Sequence, residues 1–220
     1  MNLLDKYRPR RLSEVVGQAA ARVLERFCRR PYRSCWLLEG PPGTGKSASA
    51  HAVAEELRCT TLSKHPIPAN KLNVELAQGL FDTWTRFLPM DGAAFHVVII
   101  EEFERVVSQE VKGYLKTALD WSVDADAGLP ARCVVVATSN NVEKIEPALL
   151  ERFEVLQYSG GPSFAELAQE RLAEIWLVEM PGRDMPHGWR NWGWQGDRFS
   201  MRLALRELER HVKAEEPVLV

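Results

Sequence analysis

Two apolar runs dominate the pattern of the chain. Phe95-His96-Val97-Val98-Ile99-Ile100 and Cys133-Val134-Val135-Val136-Ala137 are continuous rather than alternating, and rich in β-branched residues. A strand with one wet face alternates apolar and polar positions, whereas a strand covered on both faces does not. Both runs therefore predict strands inside a parallel sheet. A shorter run, Cys35-Trp36-Leu37-Leu38, leads into a glycine-rich loop. Helical stretches are expected over 19–29 and 48–57, and Leu72, Leu76, Leu80 and Trp84, recurring every fourth residue, predict another. Strands alternating with helices give right-handed crossovers and a doubly wound α/β layer.

The pattern changes after Tyr158. Ser159-Gly160-Gly161-Pro162 interrupts it, helices are expected over 163–179 and 199–212, and 181–196 between them is rich in Pro, Gly and Trp. The expected organisation is an α/β nucleotide-binding domain over 1–158, including a basic leader Lys6-Tyr7-Arg8-Pro9-Arg10-Arg11, and a small α-helical lid over 159–220 with a Trp-rich insertion. Glu215-Glu216-Pro217 is expected to fray.

Composition narrows the class. With 220 residues, 45% hydrophobic and 26% charged, the chain is too apolar for disorder and large enough for a sizeable core. A net charge of -2 gives no whole-chain attraction to nucleic acid, so any such face must be local. Four scattered cysteines without a C-x-x-C pair argue against zinc and a disulfide framework. No membrane span or signal-peptide core is visible. A cytoplasmic protein with reduced thiols and no membrane partner is expected.

Gly40-Pro41-Pro42-Gly43-Thr44-Gly45-Lys46-Ser47, running on into Ala48, fits G-x-x-x-x-G-K-[ST]. Glycines let backbone N–H groups turn inward around phosphates, and the helix that follows adds the positive end of its dipole. Lys46 would reach the β- and γ-phosphates of ATP or GTP, and the Ser47 hydroxyl would hold Mg²⁺. The fold is thus expected to be a P-loop NTPase sheet sandwiched by helices. Glu101 and Glu102 end the second long strand: Glu101 would support the Mg²⁺ shell, largely through water, and Glu102 would polarise the attacking water. Two surface glutamates past a strand end are the plainer alternative. The next long run ends in Ser139-Asn140-Asn141, where Asn140, nearer the strand end than Asn141, is the candidate for a bond to the γ-phosphate or the lytic water. A turn-forming Asn pair is its alternative.

These pieces, in this order, resemble the AAA+ ATPases, and within them the clamp-loader branch. Lys6-Tyr7-Arg8-Pro9 with Val15-Val16-Gly17-Gln18 looks like the branch's adenine-pocket motif, which implies that Tyr7, Arg8, Pro9, Val16 and Gly17 contact the nucleotide. Leu38 to Ser47 matches Walker A, Ile99-Ile100-Glu101-Glu102 matches Walker B, and Ala137-Thr138-Ser139-Asn140 resembles sensor 1. Glu151-Arg152-Phe153 occupies the place of the arginine finger, which implies that Arg152 acts in trans on a neighbouring subunit's ATP. Gly196 to Leu205 looks like sensor 2, with Arg202 as the candidate and Arg198 and Arg206 as rivals.

Three departures stand out. Glu101 replaces the usual aspartate, which implies a displaced carboxylate and slower turnover, because Mg²⁺ is strict about geometry. The clamp-loader Ser-Arg-Cys signature reads Glu151-Arg152-Phe153. The sequence stops after the lid, without the branch's helical collar, so a homo-oligomeric ring or spiral is expected to assemble through the ATPase faces and to depend on nucleotide. For the partner, DNA is favoured through Lys112, Lys116 and Arg105 after Walker B, with a solvated helix face as the alternative. A protein partner, docked on the lid or on Trp189, Trp192 and Trp194, and a non-hydrolysing switch are the other readings; the tryptophans could equally pack the lid core.

Overall fold

In the computed structural model, which describes residues 2–215, the strands are β1 (Ser34–Glu39), β2 (Lys64–Pro68), β3 (His96–Glu101), β4 (Cys133–Ser139) and β5 (Glu154–Gln157). They form one parallel sheet in the order β2-β3-β4-β1-β5. The continuous apolar runs follow from its two covered faces. Leu37, Val98, Ile100, Val135 and Ala137 join one core, while Trp36, Leu38, Val97, Ile99, Val134 and Val136 join the core on the other side. The helices are α1 (Leu3–Lys6), α2 (Ala19–Arg29), α3 (Lys46–Glu56), α4 (Val74–Gln78), α5 (Gln109–Ala118), α6 (Pro147–Leu150), α7 (Pro162–Glu179) and α8 (Met201–Glu215). The α/β fold expected from the sequence is the fold observed. Of the stretch expected to fray, Glu216 and Pro217 lie outside the described residues.

Four local expectations need correcting. The spacing of Leu72 to Trp84 does not give one helix: α4 starts on the Asn73 side-chain cap, and a π-helical turn (Gly79–Thr83) and a 3₁₀ turn (Trp84–Arg86) follow. Leu80 and Phe81 are consecutive yet both fully buried, and the Thr85 hydroxyl donates to the Leu80 carbonyl at 2.8 Å, so tertiary packing overrides the regular turn. α3 starts at Lys46 rather than Ala48, because Gly45 already caps it from the left-handed region at φ 99°. Phe199 lies in a short antiparallel hairpin, β6 (Trp194–Gln195) and β7 (Arg198–Phe199), instead of in α8; full burial in the lid core draws it there. β2 and β5 were not read as strands. β2 contains two prolines, tolerable because an edge strand leaves one side unpaired.

A third core joins Phe164, Leu172, Ile175 and Trp176 of α7 to Ala204 and Leu208 of α8, and Leu3 of the leader packs into it. The insertion between these helices folds onto the same core. Trp189, Trp192 and Trp194 are half-buried against it, with Trp192 stacked on His211 at 4.7 Å between ring centroids. The packing alternative for these tryptophans thus describes most of their surface. The four cysteines are free thiols. Among the described residues no helix is long and apolar enough to cross a membrane.

Candidate nucleotide site

β1 ends at Glu39 and delivers the chain into the glycine loop, which α3 closes. Gly43 is required twice over. Its φ is 82°, and a Cβ there would stand 1.9 Å from the Ser200 hydroxyl oxygen. The Met201 N–H, opening α8, donates to the Gly43 carbonyl at 3.1 Å, so the lid helix begins directly on the loop.

Lys46 is 6% exposed, and its ammonium has three oxygen partners: the carbonyls of Gly40 (2.6 Å) and Pro41 (2.7 Å) and Asn140 Oδ1 (3.0 Å). Burial pushes its pKa down to about 8, against the pull of Glu104 and Glu39. A buried cation coordinated by loop carbonyls and a side-chain amide can transfer to phosphate oxygens, which carry charge and bind it more strongly.

The tips of β3 and β4 supply the carboxylates and the amide. The parallel order places β4 between β1 and β3, so Asn140, just past β4, stands between the loop and Glu101. Glu101 Oε1 lies 3.8 Å from His51 Nε2 on α3, and its carboxyl is held below the usual range first by that imidazole, with Ser47 and Arg8 adding to it against burial. Glu102 sits in the left-handed region (φ 57°, ψ 51°), a backbone conformation uncommon outside glycine. Its N–H donates to the Thr138 hydroxyl at 3.1 Å, and its Oε2 is 3.1 Å from Arg105 Nη1. Asn141, by contrast, caps the next turn by accepting from the Glu143 N–H at 2.9 Å.

Leader, loop and lid enclose a cleft of ≈ 780 Å³, large enough for a nucleotide. Tyr7, Arg8, Pro9 and Val16 line it, as do Pro42 to Ala48, Glu101, Glu102, Asn140 and Arg202. Gly40 and Pro41 are not among its lining residues; their carbonyls hold Lys46. Gly17 stands apart, packed under Leu167 and Phe164. Of the three sensor 2 candidates Arg202 lines the cleft; Arg198 is exposed beside Asp197, and Arg206 lies further along α8. Arg171 and Ile175 of α7, which the sequence did not single out, also line the cleft; nor did it single out His51, beside Glu101, and Glu104, beside Asn140. It also missed a tie from leader to lid: the Tyr7 hydroxyl and the Lys6 ammonium both donate to Glu179 at the end of α7.

Arg152 is not in the cleft. It precedes β5, whose register sets Glu154 beside Trp36, so it is level with the start of β1 and several strand residues from the loop, beyond the reach of its side chain. Asp120 Oδ2 holds its guanidinium at 3.3 Å, and its Nε donates to the Lys116 carbonyl at 3.2 Å. Lys116 in turn pairs with Glu146 at 2.6 Å.

A parallel sheet with a glycine loop at the carboxyl end of β1 and acidic residues at the end of β3 defines a P-loop nucleotide-binding fold. Residues 36–160 match the family AAA, ATPase family associated with various cellular activities, and the chain belongs to that family. It is 27% identical over 176 residues to the replication factor C small subunit of Archaeoglobus fulgidus, covering 78% of this chain and 52% of that protein. It is 23% identical over 210 residues to the corresponding Thermofilum pendens subunit, covering 94% and 61%. The chain thus spans between about half and three-fifths of the length of these relatives. Among solved structures, the RuvB Holliday junction branch migration motor of Thermotoga maritima shares the fold, with a TM-score of 0.67 at 21% identity over 93% of this chain and 64% of that one. The clamp-loader-like resemblance read from the sequence agrees with these relatives.

Proposed function

We propose that the chain binds ATP with Mg²⁺ in the leader–loop–lid cleft and hydrolyses it as one subunit of a homo-oligomer whose work is linked to DNA. The observation that carries this reading is the position of the Lys46 ammonium, buried among oxygen acceptors, with Ser47, Glu101, Glu102 and Asn140 converging on the same cleft. The residues fit the group: the loop N–H groups and Lys46 would hold the β- and γ-phosphates, Ser47 with Glu101 would hold the metal shell, and Tyr7, Arg8, Pro9 and Val16 would take the base. When bound, Mg²⁺ neutralises charge developing on the phosphates. Glu102 takes the proton of the attacking water, Asn140 orients that water or a γ-oxygen, and Arg202 adds positive charge from the lid.

Arg152 completes the site of a neighbouring subunit in a ring or spiral; its place outside the chain's own cleft supports this reading. The division of labour is between the α/β domain over 1–158 and the lid over 159–220, in a cytoplasmic protein. Relatives named as a replication factor and a branch migration motor support DNA as the partner, with Lys112, Lys116 and Arg105 as its contacts. The test is phosphate release with and without DNA. DNA-stimulated release in the wild type, lost by at least about a hundredfold in Glu102→Gln, is the expected result; equal background rates in both proteins would refute hydrolysis. A slow, switch-like cycle is the second reading, favoured by the pairing of Glu102 with Arg105 and by glutamate at position 101.

A further inference from the structure

One acidic residue behind the cleft, in contact with the lining residue Asn140, has no part in the scheme above. Glu104 sits in the 3₁₀ turn Phe103–Arg105 that follows Glu102, and its Oε1 accepts twice from Asn140, from the backbone N–H at 3.1 Å and from Nδ2 at 3.2 Å. Its other oxygen, Oε2, is shielded from solvent and accepts no hydrogen bond from the described residues. A buried carboxylate oxygen without a partner is costly, and folded proteins rarely retain one without a use for it.

We infer that Glu104 is a positioning residue for ATP hydrolysis, fixing the Asn140 amide so that its carbonyl faces Lys46 and its N–H₂ group faces Glu104, with one hydrogen left over for a ligand oxygen in the cleft. The proposal rests on the ATPase reading and deepens it. The chemistry of the three groups permits only one orientation. A carboxylate only accepts and an ammonium only donates, so the amide nitrogen must face Glu104 and the amide oxygen must face Lys46. Flipping the amide would set donor against donor at Lys46 and acceptor against acceptor at Glu104. One Nδ2 hydrogen is committed to Glu104, and the second remains for a phosphate oxygen or the lytic water. Because Glu104 sits two residues beyond Glu102, whose own N–H is tied to Thr138, the tips of β3 and β4 are coupled at two points. The proton-accepting carboxylate and the orienting amide thereby hold a fixed relation.

The test is a double-mutant cycle in the full chain. Glu104→Leu is expected to lower kcat about tenfold, the scale of one lost hydrogen bond to a charged group, with KM for ATP changed less than about twofold. Glu104→Gln, which keeps an acceptor, should recover part of the loss. In an Asn140→Ala background Glu104→Leu should have a much smaller further effect, since only the bond from the backbone N–H of residue 140 remains to be lost. Additive losses, or a change confined to KM, would overturn the proposal. A second readout is independent of catalysis: the Asn140 side-chain amide protons in ¹⁵N-correlated NMR spectra. They should be inequivalent and protected in the wild type and in Glu104→Gln, and should lose protection in Glu104→Leu at an unchanged melting temperature. Unmoved resonances would sink the assignment even if the wild type proved not to hydrolyse ATP, while absent hydrolysis with moved resonances would leave the positioning role standing and refute only the ATPase reading.

Discussion

At the carboxyl end of the sheet the polar groups are held by exchangeable partners, by a strained backbone or by none, whereas at the amino end of β2 and β3 they close into a hydrogen-bonded network. Near the glycine loop, Lys46 rests on carbonyls, Glu102 holds a left-handed backbone, and Glu104 buries an unpartnered oxygen. At the opposite end, Asp91 accepts from the Thr60 N–H and hydroxyl, the Ser63 hydroxyl and the Ala93 N–H. Beside it His65 Nε2 meets His96 Nδ1 at 3.1 Å, and His96 Nε2 meets the Phe87 carbonyl at 3.1 Å. That carbonyl can only accept, so His96 donates through Nε2 and accepts from His65. One end is built to meet a ligand; the other saves its hydrogen bonds for the fold. Changes at the first should therefore alter rates and affinities, and changes at the second should alter melting.

Arg152 is the residue that breaks this division, since it lies toward the amino end yet is expected to act on catalysis. Arg152→Ala should lower kcat by about a thousandfold, the lower range for an arginine supplied in trans, with ATP affinity and melting temperature nearly unchanged. Mixing it with Lys46→Ala subunits should restore part of the rate, because one variant offers an intact cleft and the other an intact arginine. Phosphate release at varied mixing ratios measures this; no recovery at any ratio would place Arg152 in a structural role with Asp120.

How far the sequence foretold each end depends on whether the signal is local. The glycine loop is one contiguous string, and β3 and β4 are continuous apolar runs, so all three were legible. β2 was not, because Lys64-His65-Pro66-Ile67-Pro68 carries two prolines at a sheet edge, where tertiary pairing rather than propensity makes the strand. Glu104 was not, because its partner Asn140 is 36 residues away and becomes a neighbour only when β4 lies beside β3. The tie from Tyr7 to Glu179 crosses 172 residues, which no periodicity reports.

A smaller effect at the ligand end is expected from Gly43→Ala. The added Cβ meets the Ser200 hydroxyl and occupies a left-handed backbone, a strain of about 1–3 kcal/mol. The lid helix starts on that loop, so the strain should open the cleft and weaken ATP binding about tenfold, measurable by titration calorimetry. Ser200→Gly in the same chain should recover part of the loss by removing the contact while leaving the backbone strain.

The smallest effect belongs to the histidine pair, and its sign is fixed. Burial, then the neighbouring His96, pushes the His65 pKa down to about 4. Between pH 6.5 and about 4 the unfolded chain therefore binds a proton that the folded chain refuses. The stability from a neutral, buried His65 is fully present above pH 6.5 and is lost as pH falls toward 4. Discounted for partial exposure, this amounts to about 1–2 kcal/mol. Other carboxylates also lose stability in acid, so the diagnostic is a difference between proteins: His65→Phe should melt with a shallower slope than wild type across this window. The substitution keeps an aromatic ring beside Trp84, whose ring centroid lies 6.2 Å from that of His65. It also leaves the cleft untouched, so ATP affinity at pH 7.5 should not change. Parallel melting slopes for the two proteins would mean that His65 titrates as it does in water, and that the amino end of the sheet is less closed than its hydrogen bonds indicate.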